Sequence, residues 1–350
     1  MTRLFRELHL HKLRRLTAGG AHHLVPTLSP NGRWCAHLLS QGSRTHLLIT
    51  DRKGRICRVF AGPVVGRATV TNDGRVAFTR QVGATCEIWL LQNGESEPQR
   101  LLGGDGRLYR EPSFSPDGTQ LAFLADDGNP DAPLQLGCFD FSHGRTNRLL
   151  LPDPDGRFLQ TQWAPFGDSI FVSAATPLGS AVFEVSIASA KAVQRGPFGL
   201  CSPAPLVPGL LCATQQTDEQ QAALVLVSYS PFADRLRVLL ERKLGAGEPA
   251  VALHKKGHAL IAFTMPDNMQ AGEPPRRDLY LGQLAGLAAL AGVARHGHKG
   301  HDRQNRGAES KSEAEASAES AGGAETSHNE AAVASLPPFH DIWCQLERGV

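Results

Sequence analysis

The chain has 350 residues, with 36 Lys and Arg against 34 Asp and Glu, for a formal net charge of +2. That balance excludes the strongly basic surface a nucleic-acid partner requires. The lack of any run of 18 apolar residues excludes a membrane-spanning helix. With 36 Gly and 23 Pro the chain is rich in turn formers, as a protein of many short strands must be.

At the N-terminus, Arg3 and Arg6 interrupt the apolar residues, and no h-region or cleavage site follows. Residues 1–11 read as an arm, with Leu4, Phe5 and Leu8 on one face of a short amphipathic helix over 2–11. The seven cysteines form no Cys-x-x-Cys pair. Without a secretion signal they read as reduced thiols in the cytoplasm; a periplasmic location enters only if the start codon is mis-assigned.

From there a unit repeats six times. Its marker is a turn glycine followed by an apolar run: Gly32, Gly74, Gly118, Gly167, Gly209 and Gly257, spaced by 42, 44, 49, 42 and 48 residues. A period in that range is the mark of a repeat architecture. The third unit is the clearest, with strand A at Tyr109–Ser115, strand B at Gln120–Ala125, strand C at Leu134–Phe141 and strand D at Thr146–Leu151. Strand B recurs at Trp34–Leu39, Arg75–Arg80, Asp168–Ala174, Leu210–Thr214 and His258–Thr264, and is often apolar throughout, as suits a strand covered on both faces. Strand C recurs at Thr45–Thr50, Cys86–Leu91, Ala181–Ile187, Ala223–Tyr229 and Asp278–Leu284; strand D recurs at Arg55–Phe60, Pro98–Leu102, Lys191–Arg195 and Arg235–Leu240.

The sixth unit lacks a strand D after Leu284. Lys12-Leu13-Arg14-Arg15-Leu16-Thr17 resembles the D strands of units two and three. The expectation is therefore an all-β, six-bladed β-propeller of four-stranded blades over residues 12–290, closed by the N-terminal strand. Unit five is degenerate at Val207-Pro208-Gly209, so five or seven blades stay open at this point.

Ser29-Pro30-Asn31-Gly32 and Ser115-Pro116-Asp117-Gly118 resemble the turn of the TolB-like (PD40, WD40-like) β-propeller repeat family, with Thr71-Asn72-Asp73-Gly74 and Ala164-Pro165-Phe166-Gly167 as drifted copies. The resemblance covers roughly residues 12–286. It implies the propeller and the class of a protein-binding platform; a protein or peptide partner, a monomeric chain and no enzymatic activity are the expectations set beside it. The turn residues themselves are expected to serve structure, Gly for positive φ and Asp or Asn as a cap.

Residues 291–335 turn low in complexity, dominated by Ala, Glu, Ser and Gly, and read as a disordered tail. Residues 336–350 regain Leu336, Phe339, Ile342 and Trp343 and read as either a docking peptide or an unordered end.

No nucleophile elbow, Walker loop, dinucleotide fingerprint, His-Glu-x-x-His or zinc pattern is present, and no cofactor is expected. His296, His298 and His301 have ligand-like spacing but no surrounding residues to orient them, so no resident metal is expected there. The remaining candidates come from the starts of the A strands, which line a propeller's channel. Counting seven and nine residues back from each turn glycine, and adding Arg110 and Arg157, which fall nearby, gives a partner-binding rim of His23, Arg67, Tyr109, Arg110, Glu111, Arg157, Gln160 and Glu248. Two other readings stay open. One is a metal-assisted lyase or hydrolase in the channel, using His23 and His254. The other is a small-ligand sensor at the arginine-rich rim.

Overall fold

A computed structural model describes residues 8–17, 21–41, 44–128, 133–149, 157–216, 222–229, 235–240, 245–254, 258–267 and 276–287. The expected tail, its terminal peptide and the histidine triplet at 296, 298 and 301 lie outside these residues.

Every described strand belongs to one of six four-stranded antiparallel sheets. Blade 1 runs β2 (His22–Leu28), β3 (Trp34–Gln41), β4 (Arg44–Asp51), β5 (Ile56–Ala61). Blade 2 runs β6 (Val64–Val70), β7 (Val76–Val82), β8 (Thr85–Leu91), β9 (Gln99–Leu102). Blade 3 runs β10 (Tyr109–Phe114), β11 (Gln120–Ala125), β12 (Gln135–Asp140), β13 (Arg145–Leu149). Blade 4 runs β14 (Arg157–Trp163), β15 (Ser169–Thr176), β16 (Gly179–Ser186), β17 (Ala192–Gln194). Blade 5 runs β18 (Leu200–Val207), β19 (Leu210–Gln216), β20 (Ala222–Ser228), β21 (Arg235–Val238). Blade 6 holds β22 (Gly247–His254), β23 (His258–Asp267) and β24 (Arg276–Ala285), and β1 (His9–Arg15) is its outermost strand. The blade count is six, and the innermost strands touch in a closed circle from β2 round to β22 and back to β2.

The closing strand begins earlier than residues 12–17. His9 pairs Ala285, Leu10 pairs Leu284 and His11 pairs Gln283, so these three residues form strand where an arm helix was expected. The partner sets this register. Leu10 packs over Gly282, where a Cβ would lie 2.7 Å from Leu10 Cδ1, and Leu8 is fully buried in the core between blades 5 and 6. At the end of the strand, Arg15 forms an ion pair with buried Asp278. Just beyond it, Thr17 Oγ1 donates to Asp278 Oδ1 at 3.0 Å while accepting from Leu279 N at 2.9 Å.

The repeated turn builds the same small network in blades 1, 2 and 3. Ser115 Oγ donates to Asp117 Oδ1 (2.6 Å) and accepts from Gln120 N (2.9 Å). Ser29 and Asn31, then Thr71 and Asp73, repeat the arrangement. Five of the turn glycines, Gly32, Gly74, Gly118, Gly167 and Gly209, sit at positive φ, where a Cβ would be strained. Neighbouring turns are tied together: Arg75 Nη2 donates to Gly118 O at 3.0 Å, and Asn31 N donates to Asn72 Oδ1 at 2.8 Å.

Candidate functional site

The channel has two chemically different levels. Both arise from strand A of each blade, the innermost one.

The first level lies at the strand starts. All six A strands break register with their B strands there: between Leu24 and Thr27, Val65 and Thr69, Arg110 and Ser113, Phe158 and Gln160, Cys201 and Ala204, and Gly247 and Ala250. This is a β-bulge repeated around the ring, and a bulge re-aims the side chain it carries. In five blades a bulge residue has positive φ: Val25, Gly66, Glu111, Ser202 and Glu248. The backbone is held by the preceding blade, since Thr79 Oγ1 accepts from Glu111 N (3.2 Å) and Thr214 Oγ1 accepts from Glu248 N (2.8 Å).

Arg67, Glu111 and Gln160 are buried here, with 2%, 2% and 4% of their surfaces exposed. These three positions of the expected partner-binding rim are thus buried at the A-strand starts. Burial pushes the Glu111 carboxyl up to about 7, against the pull of Arg67 and Arg110. Burial likewise lowers the pKa of Arg67, opposed by the fields of Glu111, Glu248 and the Cys201 position. Glu248 Oε2 is occupied in its own seam, accepting from Val25 N (3.1 Å) and Thr264 Oγ1 (2.8 Å).

The other expected rim residues do not join these three as a set. Tyr109 turns to Asp105, donating from its hydroxyl to Oδ2 at 2.7 Å, and its ring packs on Phe123. Arg110 lies near Glu111 and Cys86. Arg157 begins β14, pairing with Ala175, and its side chain is outside the described residues, as is that of His254. His23 points into the seam between blades 1 and 6, where its ring lies 5.1 Å from that of buried His37. Burial holds both imidazoles neutral, His23 at about 4 and His37 at about 3, each lowered further by a neighbouring histidine. Among the described residues no group of three His, Cys, Asp or Glu side chains is placed to hold a metal ion.

The second level lies at the strand ends, against the repeated turns. A cavity of about 110 Å³ opens there, lined from all six blades. Its wall is one ring of side chains, four residues before each turn glycine: Leu28, Val70, Phe114, Trp163, Pro205 and Leu253. Pro30, Pro116 and Pro165 of the repeated turn form its lip, so these prolines shape the channel as well as the turn. Thr69 and Gln162 are its polar members. Thr69 Oγ1 accepts from Phe114 N (3.2 Å) and Ser113 Oγ accepts from Trp163 N (3.0 Å), which locks the wall from blade to blade. The position is apolar in every copy, so the funnel was readable from the sequence as a ring and not only as blade interior.

These features define a six-bladed propeller with an apolar funnel at one end of its axis and a buried charged cluster towards the other. No family model matches the chain. A TolB homolog of Chlorobium luteolum is 32% identical to it over 136 residues, a stretch that is 38% of this chain and 30% of that protein. The chain thus matches less than a third of the length of that curated relative. Among solved structures, a protein described as TolB from Agrobacterium tumefaciens superposes with a TM-score of 0.52 at 15% identity, over 65% of this chain and 83% of that one. An oligogalacturonate lyase in complex with manganese superposes with a TM-score of 0.50 at 13% identity, over 77% and 79%. At such identities the superpositions speak for the fold alone. With its Ser-Pro-Asn-Gly and Ser-Pro-Asp-Gly turns and six closed blades, the chain is similar to TolB-like β-propellers in fold and, over 136 residues, in sequence.

Proposed function

We propose that this propeller is a non-enzymatic platform for a protein partner, which inserts one apolar side chain into the funnel. The observation that carries this reading is the ring at Leu28, Val70, Phe114, Trp163, Pro205 and Leu253: six blades each present an apolar group to one cavity of about 110 Å³. A space of that order accommodates one aromatic or branched side chain. Rigid aromatic and proline walls bind such an anchor with little loss of ordering entropy. The partner contributes the anchor and a polar surround that reaches the turn arginines, and the chain acts as a monomer.

The test is a pull-down with the full-length chain as bait, compared with Leu28→Asp and Leu253→Asp. Both residues are half-buried in the funnel wall, so each change puts a charge in the cavity without emptying a blade core. Loss of the same partner from both variants, with circular dichroism unchanged, supports the reading. Retention of that partner at wild-type level overturns it.

A further inference from the structure

The axial cluster beyond the funnel has a chemistry of its own. Arg67 comes from blade 2, Glu111 from blade 3, Gln160 from blade 4 and Ser202 from blade 5. In a ring of six, blade 5 stands across from blade 2. The Arg67 guanidinium is in electrostatic range of Cys201 in blade 5 as well as Glu111 and Glu248 in blades 3 and 6. It therefore reaches the axis and does not lie along its own wall.

All three nitrogens of that guanidinium are buried without a hydrogen-bond acceptor. Glu111 Oε2 and Gln160 Oε1 are also unpartnered, and Ser202 Oγ, beside the weakly bonding Cys201 thiol, meets no nitrogen or oxygen partner. A buried guanidinium that has given up water without gaining acceptors is costly. The backbone adds strain at the same level, with Glu111 at φ 55° and Ser202 at φ 50°. Strained non-glycine positions of this kind concentrate at ligand sites.

We propose that Arg67, Gln160 and Ser202 form an oxyanion site on the propeller axis that takes a small monocarboxylate. The planar fork of Arg67 matches the two oxygens of a carboxylate. Ser202 adds a hydroxyl donor, and Gln160 adds an amide donor once its side chain is turned about its last bond. Glu111 contributes a donor in its protonated form, which burial favours up to about pH 7, so binding takes up a proton. Glu248 stays outside, held by Val25 and Thr264. Side chains close over the guanidinium, so the site selects for small size, formate and acetate before longer acids. A phosphate dianion is larger and brings a second negative charge beside Glu111, within the field of Glu248, and is disfavoured on both counts.

The experiment is isothermal titration of the full-length chain with sodium formate and sodium acetate, against sodium chloride and inorganic phosphate at equal ionic strength, at pH 6 and pH 8. The expected result is saturable one-site binding of formate or acetate, about tenfold tighter at pH 6, as for one linked proton with a pKa near 7. Ser202→Ala and Gln160→Leu, each removing one neutral donor, weaken it about fivefold to tenfold. Arg67→Met abolishes it. The mild Ser202→Ala change keeps the test decisive should Arg67→Met fail to fold. No saturable heat from either carboxylate at pH 6, unchanged binding in Ser202→Ala and Gln160→Leu, or phosphate binding as tightly as acetate each overturns the proposal.

Discussion

Gly66 and Glu111 share one space: a Cβ on Gly66 would lie 2.2 Å from Glu111 Oε1. The glycine of blade 2 is thus the socket for the bulge carboxylate of blade 3. Arg67 N, the next backbone group, donates to the same oxygen at 3.4 Å. Gly66 also sits at φ +66°, a region that costs an L-residue about 1–2 kcal/mol. Gly66→Ala is expected to lose about 2–4 kcal/mol, from that strain plus the clash. In a Glu111→Ala background the clash is gone and only the strain persists, so the two changes will be non-additive. Urea denaturation of the four proteins in the cycle measures this, and strict additivity would contradict the socket.

The neutral pair His23 and His37 makes stability depend on acid. Both folded pKa values lie below the unfolded value near 6.5, so the unfolded chain takes up protons first as pH falls. The stability these residues contribute is full above pH 6.5 and is lost progressively down towards pH 3–4. For His37, deeply buried, the slope approaches about 1.4 kcal/mol per pH unit within that window. Glu111 acts in the opposite sense: its folded pKa is raised to about 7, so its contribution is present below pH 4.5 and is lost as pH rises to 7. The two therefore partly cancel between pH 4.5 and 6.5. His37→Leu is expected to flatten the acid loss, and Glu111→Gln to steepen it. Melting temperatures across pH 4–8 will show both, and parallel curves for all three proteins would refute the assignment.

Much of this architecture was written plainly in the chain, and the reasons are local. The turn glycines need positive φ, which only glycine adopts freely, so they punctuate the sequence at each blade. Strand β11, Gln120–Ala125, is apolar because both its faces are covered, and the same is true of its counterparts. The closing strand was harder to place. Its register depends on Leu10 finding the gap at Gly282, a contact between residues 272 positions apart that no local pattern carries. Burial at the bulges was hidden for a different reason. Arg67 and Glu111 have the residue types of a solvated rim, and only the bulge in each A strand turns them onto the axis. The funnel ring was concealed by its ordinariness, since Phe114 and Trp163 look like any apolar strand residues until six copies are aligned on their glycines.

The seam between the chain's first strand and its last blade offers a further test. Asp278 is 2% exposed and is held by Arg15, the last residue of β1, and by Thr17 just after it. Arg15→Met would leave that carboxylate with the Thr17 hydroxyl as its remaining donor from this segment. Arg15 is itself about one-third exposed, so solvent screens the pair and the expected loss is about 1–2 kcal/mol. Asp278→Asn in the Arg15→Met background should restore part of it. Hydrogen exchange of β24 amides reads the effect directly, with protection falling in Arg15→Met and recovering in the double variant.

The repeated turn network can be tested in one copy while those of Ser29 and Thr71 stay intact. Ser115 Oγ is bonded on both sides, to Asp117 Oδ1 and to Gln120 N. Ser115→Ala leaves the Gln120 amide to its remaining bonding and frees the Asp117 carboxylate, whose pKa is lowered first by Ser115 and then by the Thr119 amide. The expected loss is about 1 kcal/mol, the contribution of one such hydrogen bond. The carboxyl pKa of Asp117, followed by NMR, should rise towards the ordinary value in the variant. Ser29→Ala in blade 1 should behave alike in stability, because Ser29 makes the same pair of bonds to Asn31 and Trp34. It should leave every carboxyl titration in place, since Asn31 carries no charge. If the two variants differ in stability by more than a factor of two, the turns are not the interchangeable parts that the shared geometry makes them.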